Sequence, residues 1–174
     1  RMKKTYSFEP VPEGVDEKYI LGNQGNLCSE QLQNIRNLEY MAWPRLMAIA
    51  EVAWSPKSSK DWNKFAKKVE GHFAILDTLK IKYAKSIYDP IVTTTLNTKG
   101  EYFANMEGEV AGLDFYYTID ESMPDNFSNH YSGPVSIPED VTVMRVISYQ
   151  NGKPIGKLLN IPMSSLKQRA VKVL

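Results

Sequence analysis

Cysteine is nearly absent from this sequence: Cys28 is the single one among 174 residues. One thiol makes no internal disulfide, which excludes a cross-linked scaffold and leaves the redox compartment open. An excess of one charge sign is also missing. The 21 Lys and Arg nearly cancel the 20 Asp and Glu, and no stripe of Lys and Arg runs along any segment to track a phosphate backbone, so nucleic acid is not an expected partner. No apolar run approaches the roughly 20 residues of a membrane-spanning helix. The charged start, Arg1 to Thr5, leads into Tyr6-Ser7-Phe8-Glu9-Pro10 with no apolar stretch of the signal-peptide kind, so any export signal is expected upstream. Internal repeats and low-complexity tracts are absent too.

What is present is ordinary globular composition, 43% hydrophobic, with room for one usual domain or two small ones around a packed core. From Tyr6 to about Ser29 the chain is rich in Pro, Gly and Asn, and Tyr19-Ile20-Leu21 reads as one short buried strand running into a loop. Asn34 to Trp43 reads as a short helix stopped by Pro44, because proline disfavours helical geometry in the residue before it. A second helix is expected from Pro44 to Trp54, where Leu46, Ile49, Ala50 and Ala53 recur at three- and four-residue spacing. A third places Trp62, Phe65, Ala66, Val69, Phe73 and Leu76 on one stripe, with Ser58 or Ser59 as its cap. After Asp89-Pro90 the pattern turns to short β-rich runs: Ile91 to Leu96, Tyr102 to Asn105, Asp114 to Ile119, Pro134 to Ile137, Thr142 to Tyr149 and Lys157 to Ile161. Asn151-Gly152 is a hairpin signal, since both residues tolerate positive φ. The expected fold is α+β, a helical part over residues 1–88 followed by a small antiparallel β-sandwich over 89–174.

Tyr19 to Ser55, reading YILGNQGNLCSEQLQNIRNLEYMAWPRLMAIAEVAWS, resembles the end of the catalytic barrel of glycoside hydrolase family 20, where a strand finishing LGxQxNLW(T/S)E is followed by a helix reading PRLxAxAExxW. Tyr6 to Pro12, YSFEPVP, is similar to the loop before that strand in bacterial members. Further on, FYYTIDESMPDNFSNHYSGPVSI resembles the C-terminal domain of chitobiases and hexosaminidases, with its YTxDGxxPxxxSxxYxxPI pattern. The resemblance implies a remnant of the last β/α unit of a TIM barrel followed by an immunoglobulin- or fibronectin III-like sandwich. It implies hydrolysis of terminal N-acetylhexosamine from glycans with the substrate's own acetamido oxygen as nucleophile. An export-competent, periplasmic or extracellular location is implied by family alone.

The family's adjacent Asp-Glu catalytic pair belongs to an earlier barrel strand and has no counterpart here at a matching motif. A barrel needs on the order of 200 residues or more, so the expected role is that of a C-terminal portion, inactive by itself and self-associating through exposed barrel surface. Docking onto a separately encoded barrel is a further reading. The alternative from another class is a noncatalytic carbohydrate-binding or protein-interaction module built on the sandwich.

Two residues carry the implied substrate contact. Glu30 stands where the family places a carboxylate that accepts hydrogen bonds from hydroxyls of the terminal sugar; by composition alone it reads equally as a solvated or helix-starting carboxylate. Cys28 occupies the position of a family tryptophan that walls the acetamido pocket, and a thiol offers no such face. As a nucleophile Cys28 lacks a base, because neither His72 nor His130 forms a Cys-His arrangement with it; an ordinary buried thiol is the plainer expectation. Arg45 and Glu51, both in the helix signature, read as a structural ion pair or helix contacts. Trp43, Trp54 and Trp62 read as core or helix-packing residues. Tyr116, Tyr117 and Tyr131 read as core and edge packing ahead of a sugar platform. Asp114, Asp120, Glu121 and Asp125 lack the spacing of a calcium loop. No metal and no cofactor is expected.

Overall fold

A computed structural model describes residues 1–172, the side chains of Gln31 and Lys172 excepted. The chain divides into two compact units, Arg1–Ala84 and the remainder from Lys85.

The first unit is helical. Helix α1 (Met2–Tyr6) precedes a 3-10 turn at Glu17–Tyr19, a second at Ser29–Gln31, and helices α2 (Ile35–Ala42), α3 (Arg45–Trp54) and α4 (Trp62–Thr78). α1 is too short to be stable alone; Met2 and Tyr6 are buried and hold it, with the Tyr6 ring stacked on Phe65 at 4.7 Å and edge-on to Trp62 at 5.4 Å. α2 starts at Asn34, whose side-chain oxygen accepts from the Asn37 amide at 2.9 Å. It ends before Trp43 and Pro44, as the proline requires. α4 buries Phe65, Ala66, Val69, Phe73 and Leu76, the stripe expected from their spacing.

Three expectations are corrected. The cap of α4 is Asp61, whose carboxylate accepts from the Lys64 amide at 3.1 Å; Ser58 and Ser59 lie a turn earlier, in a separate 3-10 turn. Trp54 is not core: it closes α3 with 88% of its surface exposed. Tyr19-Ile20-Leu21 forms no strand, and Tyr19 and Leu21 are 71% and 105% exposed. A strand exists only where neighbours take up its backbone groups. Among the described residues, no backbone group of residues 21–27 pairs with another backbone group.

The second unit is β-rich. Its strands are β1 (Ile91–Leu96), β2 (Tyr102–Glu107), β3 (Asp114–Thr118), β4 (Asn129–His130), β5 (Val135–Ile137), β6 (Val143–Gln150), β7 (Lys153–Pro154), β8 (Leu159–Pro162) and β9 (Val171–Lys172), with helix α5 (Met163–Gln168) before the last. One sheet has the order β5-β2-β1-β9; the other runs β4-β3-β6-β7, with β8 also on β6. All pairs are antiparallel except β1 with β9. Asn151 and Gly152 take positive φ and turn β6 into β7, with Gln150 opposite Lys153. The core draws on both sheets and α5: Ala104, Met106 and Ile137 from one, Phe115, Met144 and Val146 from the other, then Met163 and Leu166. Tyr117 and Tyr131 pack against this cluster. Tyr116 alternates to the opposite face of β3, where its ring meets Tyr149 at 5.0 Å and His130 at 5.2 Å. The fold is α+β.

Candidate functional site

The segment that carries Cys28 and Glu30 is set by one close approach. At Gly25 a β-carbon would meet the tip of Ile49, so a bare α-carbon lets α3 pack against this stretch with Ile49 in its present rotamer. Beyond it, Cys28 turns extended backbone into the Ser29–Gln31 turn, closed by the Leu32 amide donating to the Ser29 carbonyl at 2.9 Å. Cys28 makes no capping hydrogen bond and is exposed, which overturns its reading as a buried thiol. Glu30 is exposed in the same turn. The two residues flank Ser29 at the start of the turn, and neither lines any of the three described cavities.

Those cavities lie on either side of α3. One of about 560 Å³ separates residues 23–27 from α1 and α3 and is largely apolar, lined by Phe8, Leu27, Leu46 and Ile49 among others. A second, of about 590 Å³, lies where Ile20 to Asn23 face the end of α3 and the stretch 55–60. A third, of about 320 Å³, separates α3 from α4. Arg45 and Glu51 do not pair with each other, and each makes a structural contact of the expected kind. Arg45 donates to the Met41 carbonyl at 2.6 Å, joining α2 to α3, and Glu51 pairs with Lys68 of α4 at 3.3 Å. Both are helix contacts, the other half of that expectation.

Acid-base chemistry needs a carboxyl whose proton affinity is raised by burial or a like charge. Two adjacent Asp-Glu pairs exist in this chain, Asp16-Glu17 and Asp120-Glu121, and the aspartate of each is shifted the opposite way. Hydrogen bonds from the Lys18 side chain and amide hold the Asp16 carboxyl below the usual carboxylate range, with Lys18 Nζ at 2.9 Å. Bonds from the Ser122 hydroxyl and amide do the same for Asp120. Among the described residues, no group of three His, Cys, Asp or Glu converges to hold a metal ion.

Comparison with known proteins bears on the same segment. Residues 1–57 match the catalytic domain of glycosyl hydrolase family 20. The matched stretch holds the segment that carries Cys28 and Glu30. Residues 107–160 match a second family, described as Fn3 associated. The chain is 26% identical over 147 residues to a beta-hexosaminidase of Porphyromonas gingivalis, covering 79% of this chain. It is 31% identical over 88 residues to a beta-N-acetylhexosaminidase of Cellulomonas fimi, 49% of this chain, and 35% identical over 74 residues to a beta-hexosaminidase of Akkermansia muciniphila, 41% of this chain. The chain spans 18%, 18% and 15% of the length of these relatives. The family 20 stretch thus contains α1, α2, α3, Cys28 and Glu30, while α4 and the sheets lie outside it.

Proposed function

We infer that this chain is the C-terminal portion of a β-N-acetylhexosaminidase, which hydrolyses terminal N-acetylhexosamine from glycans, and that the chain alone turns over no substrate. The observation that carries the reading is the 147-residue alignment with a beta-hexosaminidase, which runs through 79% of this chain, more than either compact unit holds, and so reaches into both. On this reading residues 1–88 are the last strand and helices of the catalytic barrel, and residues 89–174 an immunoglobulin- or fibronectin III-like sandwich. The unpaired backbone of residues 21–27 supports it, because extended chain with open hydrogen-bonding groups is what one barrel strand looks like without its neighbours.

Glu30 then sits at the C-terminal end of that strand, where barrel enzymes build their sites, and accepts hydrogen bonds from hydroxyls of the terminal sugar. Its exposure in the 29–31 turn suits that role. Cys28 stands where the family has an indole, so the sugar loses a stacking face. On this reading the general acid has no counterpart here, since neither Asp-Glu pair of the chain lies in a matching motif and both are exposed.

The test is hydrolysis of a chromogenic N-acetyl-β-glucosaminide by the purified chain beside a Cys28→Trp variant. Neither is expected to exceed the buffer rate, because restoring a stacking face supplies no proton donor. Turnover that co-purifies with the chain through successive columns would overturn the reading.

A further inference from the structure

Asn151 is the one asparagine of this sequence that a glycine follows. The pair forms the two-residue turn between β6 and β7, where Gln150 stands opposite Lys153 and both turn residues are exposed. The Asn151 side chain makes no hydrogen bond among the described residues, and the Gly152 amide donates to no backbone carbonyl among them. A β-carbon at Gly152 would meet nothing within 4 Å, so the space beside it is open. Other asparagines are held or shielded. Both ends of the Asn97 amide are engaged: it donates to the Glu101 carboxylate at 2.7 Å and accepts from the Lys99 and Glu101 amides at 2.9 Å. The Asn34 side chain caps α2, and Asn160 lies in β8 before the branched Ile161.

We propose that Asn151 is a site of spontaneous modification, where the chain converts its own asparagine to aspartyl and isoaspartyl forms. The Gly152 nitrogen bonds to Cγ of Asn151, the bond from Cγ to Nδ2 breaks, and Nδ2 leaves as ammonia with the Gly152 amide proton. The five-membered imide then takes up one solvent water. Opening at Cγ leaves an aspartate on the ordinary chain. Opening at the main-chain carbonyl carries the chain through Cγ, one methylene longer. That extra atom falls in a turn of two residues, whose length fixes the register of Gln150 on Lys153 and of Tyr149 on Pro154. The isoaspartyl form therefore loosens the end of β6, beside the Ser148 carbonyl that accepts from the Ile155 amide at 3.0 Å.

The test is incubation of the whole chain at about 37 °C in water enriched in heavy oxygen, near pH 5 and near pH 9, followed by peptide mass spectrometry. The peptide holding Asn151 is expected to gain about 3 Da, about 1 from exchange of the amide for a carboxyl and about 2 from the label, in two separable species. Conversion should run about tenfold faster or more at the higher pH, because the attacking nitrogen must give up its proton. It should also stay within about tenfold of the rate in about 6 M guanidinium, since the native turn leaves both groups open. Asn151→Asp should gain no mass at this position. The isoaspartyl species should melt at a lower temperature than the parent chain. Native conversion more than about tenfold slower than in guanidinium would overturn the proposal, by showing that the turn protects Asn151. So would faster conversion at any other asparagine of the native chain. An isoaspartyl species that melts with the parent would overturn the loosening of β6.

Discussion

Gly156 and Gly25 both stand where a side chain has no room, and they differ in what occupies the space. At Gly156 a β-carbon would meet the Ser148 hydroxyl and the Tyr88 carbonyl; Ser148 is fully buried and donates to that same carbonyl. Backbone and a buried hydrogen bond cannot swing aside. Gly156→Ala is therefore expected to cost about 1–3 kcal/mol. At Gly25 the obstacle is the end of the Ile49 side chain, which can rotate, and Gly25→Ala should cost less than about 1 kcal/mol. Denaturant unfolding of the two variants ranks them; equal losses would contradict this account. Tyr83 supplies the pH counterpart. Burial and a hydrogen bond to Asp77 at 3.2 Å push its phenol from the usual 10 up to about 12. Folding thus favours the neutral ring, so its contribution is whole below pH 10 and is lost as pH rises through about 12. Tyr83→Phe should flatten the alkaline limb of the stability curve in that window, measured against the parent chain. An unchanged slope would mean that Tyr83 does not govern it.

At the scale of elements, caps decide where α4 begins. Asp61→Ala removes the acceptor for the Lys64 amide and should destabilise the helix by about 1 kcal/mol, while Ser58→Ala should be near neutral, as thermal unfolding would report. The cap was misassigned from sequence because three candidate acceptors stand within four residues, and only backbone geometry selects one. The helical stripe itself was legible, since apolar spacing along α4 follows from the helix period alone. The same holds for β1, β3 and β6, whose alternation is local. Elements whose existence depends on distant partners were not legible: β4 and β9 are two-residue pairings, and α5 is short, held by burial of Met163 and Leu166. Tyr19 to Leu21 err in the opposite direction: their apolar side chains mark a strand, yet among the described residues no backbone group of 21–27 finds a backbone partner. The candidate site divides the same way. Cys28 and Glu30 stand in a motif of contiguous sequence, whereas the cavities beside α3 join residues far apart in the chain and leave no linear signal.

At the scale of the molecule, the unpaired stretch raises the question of what keeps this chain apart from its copies. Leu21 and Leu27 are exposed on a segment whose backbone groups are open, and Leu46 is 46% exposed on the neighbouring helix. Burying a leucine side chain stabilises a contact by roughly 1.5–3 kcal/mol, and open strand-like backbone adds a template for pairing. The net charge of +1 offers almost no long-range repulsion against either. Self-association through this surface is the expected behaviour, with sedimentation velocity at about 50 µM showing species larger than the monomer. Salt should change this little, because the driving surface is apolar and a Debye length of about 8 Å already screens the scattered charges at physiological ionic strength. Leu21→Asp combined with Leu46→Asp should return the chain to a monomer without loss of helix content, since both side chains lie outside the buried core. A parent chain that sediments as a monomer at that concentration would show that the exposed leucines and open backbone of residues 21–27 are tolerated in water, and would remove the strongest physical reason for expecting a partner on this face.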